Sequence, residues 1–81
     1  MPRALVSPEE LLDIINRRLQ QRDASRGCVV AGAIVRLQTP LSDGGNWSRS
    51  IAVRGKPRDP QACGEAAHAV IESVADEFNL R

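Results

Sequence analysis

From Cys28 to Leu37 the chain runs with a single charged side chain, and this stretch limits the possible folds more than any other feature. It is rich in valine and isoleucine, which favours an extended strand, expected over 28–38. The odd positions Val29, Ala31, Ala33, Val35 and Leu37 are all apolar. The even positions begin apolar at Cys28, Val30, Gly32 and Ile34, then turn polar at Arg36 and Gln38. Such a strand is covered on both faces in its first half and on one face in its second. Gly32 marks a bulge or a close backbone approach.

On either side lies an amphipathic helix. Ser7 is a natural N-cap, Pro8 fits the first helical position, and Glu10 completes a capping box. Leu11, Leu12, Ile14, Ile15 and Leu19 then form one apolar face, which predicts a helix over 8–22. Asp59-Pro60 repeats the cap-and-proline device. Behind it Cys63, Ala67, Val70, Ile71, Val74 and Phe78 give a packing stripe, which predicts a helix over 60–78. Between the helices, Thr39 to Gly45 is turn chemistry and Asn46 to Arg54 reads as a second strand. So short a separation makes the two strands an antiparallel hairpin.

The expected fold is therefore one α+β domain over 1–81, in the order α-β-β-α, with an antiparallel β-hairpin packed by two amphipathic helices. A hairpin alone is marginal in water. Two helices on the same side leave one face of the first strand wet, and each exposed large aliphatic side chain forgoes about 1.5–3 kcal/mol. Dimerisation into a larger antiparallel sheet resolves this, with Val29, Val30, Ala31, Ala33, Ile34 and Val35 as interface candidates. The competing arrangement is a monomer with one helix on each face. At 81 residues, with Trp47 and Phe78 as its only aromatics, the chain has a light core, which also favours oligomerisation.

Charge is distributed in blocks. Nine of the eleven basic residues lie between Arg17 and Arg58, opposed only by Asp23 and Asp43. That segment carries +7, residues 1–16 carry −2 and residues 59–81 carry −4. Blocks of opposite sign on a small body favour an anionic partner or self-association. Arg54, Lys56 and Arg58 lead into the N-terminus of the second helix, whose free amides favour anions, although Asp59 already supplies a negative group there. Gly55-Lys56 is not a phosphate-binding P-loop, because Pro57 stands where Ser or Thr is required. Arg36, Arg49 and Arg54 with Trp47 are the minimal ingredients of a nucleic-acid surface. One aromatic is a poor stacking platform, however, and Trp47 is expected to cap the open end of the core.

No catalytic constellation stands out. His68 is the only histidine, and Cys63 lies around the helix from it. Glu65, His68 and Glu72 share a helix face, which reads as solvated polar surface, and no metal or cofactor is expected. Cys28 and Cys63 are too few for a disulfide scaffold and are expected as two reduced thiols. The N-terminus carries no secretory pattern and no stretch reaches membrane-span length, so a cytoplasmic chain with no membrane partner is expected. On that basis Asn46-Trp47-Ser48 is a chance glycosylation sequon. The expectation is a non-enzymatic, homodimeric protein-interaction module. The alternative is a nucleic-acid or phosphate binder using Arg36, Trp47, Arg49, Arg54, Lys56 and Arg58.

Overall fold

A computed structural model describes residues 3–22, 27–55 and 59–81. In chain order the elements are β1 (Ala4–Val6), α1 (Pro8–Gln20), β2 (Cys28–Ala31), β3 (Ala52–Gly55), α2 (Pro60–Glu77) and β4 (Phe78–Leu80). Together they make a mixed α+β fold with two small two-stranded sheets.

Both helices start by the chemistry their sequences supply. The Ser7 hydroxyl accepts from the Glu10 amide at 3.1 Å, and Pro8 opens α1. The Asp59 carboxylate accepts from the Gln61 and Ala62 amides, and Pro60 opens α2. Leu11, Ile15 and Leu19, four residues apart on α1, are fully buried. They meet Ala67, Val70, Ile71 and Val74 of α2, together with Val30, Ile34 and Trp47. Both helices therefore share one core on one side of the β2–β3 region, which rules out a helix on each face.

The strands depart most from expectation. β2 stops at Ala31 because Gly32 takes a φ of +101°, a left-handed conformation that ends the extended run. A side-chain carbon added at Gly32 would meet nothing within 4 Å, so the glycine turns the chain and answers no close approach. Only an isolated antiparallel bridge, Arg36 to Trp47, continues the pairing, and β3 begins at Ala52. The bridge keeps the register of β2–β3, in which Val30 faces Val53 and Ala31 faces Ala52. The strands expected over 28–38 and 46–54 thus form as two short arms with irregular backbone between them.

β1 and β4 are absent from the expected order. They pair in parallel, Ala4 with Phe78, Leu5 with Asn79 and Val6 with Leu80, and bring the two ends of the described chain together. The Arg81 amide adds a bond to the Val6 carbonyl at 3.1 Å. Phe78, expected at the end of the second helix, leaves it in extended conformation and becomes the first residue of β4. α1 likewise closes at Gln20, two residues earlier than expected.

Candidate interaction surface

The alternation read in the sequence resolves into an inner and an outer set. Cys28, Val30 and Ile34 are buried beneath the helices. Val29 and Val35 are 39% and 58% exposed, Ala33 is exposed, and Ala31 is half-buried. The six interface candidates are therefore split, because neighbouring residues of a strand point to opposite faces. Val29, Ala33 and Val35 are apolar side chains left exposed, Val29 opposite the exposed Arg54. Val30 and Ile34 are core.

Two strand edges are closed by asparagine side chains. The Asn16 carboxamide accepts from the Val30 amide at 2.8 Å and donates to the Val30 carbonyl at 3.0 Å. Asn46 does the same for Leu80, at 2.8 Å to its amide and 2.9 Å to its carbonyl. Each side chain stands in for a neighbouring strand, satisfying both groups of one edge residue. Asn16 is a half-buried polar residue of α1 outside its apolar stripe. A carboxamide one turn from buried Leu19 is too ordinary a feature to signal the role. The Asn46 sequon, expected as a chance match, has its amide nitrogen engaged by Leu80.

Of the anion candidates, Trp47 is 1% exposed and its indole N–H donates to the Phe78 carbonyl at 3.1 Å, so its ring faces are packed in the core. Arg49 pairs with Glu72 at 2.8 Å through one guanidinium nitrogen and with Asp43 through the other. Arg36, in the isolated bridge, and Arg54, in β3, are exposed, and neither forms an ion pair with a described residue. Lys56 and Arg58 lie outside the described residues. The structure thus brings Trp47 opposite Arg36 in the backbone bridge, but it turns the ring inward.

Among the described residues, two side chains of the basic middle fold onto the acidic C-terminal block. Arg18 of the basic middle reaches Glu77 of the acidic end, and Arg49 reaches Glu72. Arg3 donates to the carbonyls of Ala75 and Asp43 at 2.7 Å each, and its guanidinium lies 3.8 Å from the Asp43 carboxylate. Asp43 in turn accepts from the Gly45 amide. That backbone bond, followed by the Arg49 guanidinium, holds the Asp43 carboxyl below the usual carboxylate range. The Arg18 hydrogen bond does the same for Glu77. The turn at 41–45 is therefore pinned to α2 and to the N-terminal segment, and these ions are structural.

Cys28 and Cys63 are joined in a disulfide, with Cα atoms 6.2 Å apart, where two reduced thiols were expected. Both are buried, at 0% and 3% exposure. The bridge ties β2 to α2. Beside it, between β3 and the first turns of α2, runs a groove of about 270 Å³ lined by Val53, Arg54, Gly55, Pro60, Cys63 and Gly64. His68 is exposed on α2 and Glu72 is taken by Arg49; among the described residues no cluster of side chains has metal-binding geometry. No described helix is long and apolar enough to cross a membrane. No protein-family model, curated protein or solved structure matches the chain.

Proposed function

We propose that this chain is a non-enzymatic protein-interaction module that self-associates through the helix-free face of its β2–β3 region. The observation that carries the reading is the outer face itself. Val29, Ala33 and Val35 are wet while both helices pack on the opposite side. An apolar strip on so light a core favours burial against a second surface, and a symmetric pair is the commonest way to supply one. A protein surface is preferred to nucleic acid because Trp47 offers no stacking face and Arg49 is already doubly paired.

The bridge bears on location. Disulfides persist mainly in oxidising compartments, so the bridge weighs against the cytoplasmic location expected from the lack of a secretory pattern.

Light scattering across a concentration series tests the reading. The expected particle weighs twice the 8.8 kDa of one chain. Val35→Glu should return it to one chain mass with little change in melting temperature, because Val35 is already 58% exposed. A wild-type particle of one chain mass at every concentration would end the self-association reading.

A further inference from the structure

Resting on the reading of the chain as an interaction module, we propose that the free edge of β3 and the groove beside it dock an extended, carboxylate-bearing peptide segment of a partner protein by β-strand addition. The inference begins with the treatment of the strand edges. Val30 gives both of its backbone groups to Asn16, on the side away from β3. Val30 and Val53 are therefore a pair whose backbone groups point apart, and Val53 turns its N–H and C=O out of the sheet. At β2 and β4 an asparagine fills this position. At Val53 no described side chain does, and all four residues of β3 are exposed.

The groove shares Val53, Arg54 and Gly55 with this strand. Among the described residues its wall is apolar at Val53, Pro60 and Cys63, bare at Gly55 and Gly64, and charged only at Arg54. Gly64 is a second, independent sign. It stands inside α2, where glycine costs about 1 kcal/mol relative to alanine. Among the described residues no close approach requires it, since an added side-chain carbon there would meet none of their atoms within 4 Å. The missing side chain widens the groove for something outside the chain.

Charge selects the occupant. Arg54 has no ion-pair partner among the described residues, and the nearby Asp59 carboxylate is turned to the amides of Gln61 and Ala62. A strand laid along Val53 would exchange backbone bonds with it, place a small aliphatic side chain in the groove and bring a carboxylate to Arg54.

The test titrates an end-blocked hexapeptide of alternating glutamate and valine into the full chain, followed by amide NMR. Saturable shifts are expected at 52–55 and 60–64. An alternating lysine–valine peptide should bind at least tenfold more weakly, and a glutamate–valine peptide with N-methylated central amides should lose binding. Gly64→Leu should remove binding while the melting temperature holds or rises, because the added side chain enters open space. Arg54→Glu should reverse the preference between the two charged peptides. Absence of shifts up to millimolar peptide would overturn the inference, as would shifts confined to Val29 and Val35. A dimer whose Val53 amide is protected from exchange and unmoved by peptide would also overturn it, because the occupant would then be a second copy. The two readings fail separately: a one-chain mass with saturable peptide shifts removes only self-association, whereas a dimer without them removes only the peptide site.

Discussion

Opening the Cys28–Cys63 bridge should remove a large share of the stability of this chain. The cysteines are 35 positions apart. In the chain-entropy account, closing a loop of that length stabilises the fold by about 4 kcal/mol at 25 °C. A domain of 81 residues has a total stability of roughly 4–12 kcal/mol. Each kcal/mol moves the melting temperature of so small a domain by about 4–8 °C. Reduction should therefore lower it by roughly 15–30 °C. The effect is not local, because the bridge ties β2 to α2, and both contribute residues to the one core shared with α1.

Trp47, 1% exposed and the only tryptophan, reports the loss directly through its emission. The assay compares thermal unfolding of oxidised protein, protein held in a phosphine reductant, and the Cys28→Ala/Cys63→Ala double variant. The double variant should melt lowest, because it also removes two buried sulfurs and their packing. A thiol titration of the unfolded, unreduced chain should find no free cysteine. Oxidised and reduced forms melting within about 5 °C of each other would refute the reasoning, since that gap corresponds to only about 1 kcal/mol.

Removing an edge plug tests the other unusual feature. Asn46→Ala leaves the Leu80 amide and carbonyl without their side-chain partners. Urea unfolding followed by Trp47 should show a loss of about 2–4 kcal/mol, at the usual cost of unmet buried backbone groups. A loss below about 0.5 kcal/mol would mean that water replaces the carboxamide without cost. Acid should also act through two identified carboxylates. Asp43 and Glu77 have folded pKa values below their ordinary ones, so their stabilisation is fully present above the ordinary carboxylate range. As pH falls, the unfolded chain takes up protons first, and the stabilisation is lost down through the lowered folded values. The melting temperature should be level near neutrality and decline below about pH 4. Asp43→Asn should flatten that decline, and an unchanged acid limb in the variant would rule out the assignment.

What the sequence disclosed depended on the range over which each signal acts. Caps and helical stripes are local, and Ser7, Asp59 and the run Leu11, Ile15 and Leu19 behave as their spacing implies. β1 and β4 are three residues each, too short for a period of two to register. Phe78 fits both the last turn of a helical stripe and the first residue of a strand. The pairing of the chain ends decides between them, a contact that spans almost the whole sequence. The disulfide is equally remote, since no spacing marks two cysteines separated by a loop, a strand and the start of a helix. Asn16 and Asn46 read as ordinary polar positions until the edges they close exist.

The split of the aliphatic run carries the functional consequence. Sequence shows that Val29 and Val30 must face opposite ways, but not which of them the helices claim. Burial of Val30 at 2% and exposure of Val29 at 39% settle it. The inner set answers for folding; if the proposed self-association holds, the outer set answers for it, and substitutions one residue apart then act on different equilibria. A polar side chain at Val30 would face Leu11, Ile15 and Leu19 and oppose folding itself. The same side chain at Val29 would meet water in the single chain and act only where two surfaces close.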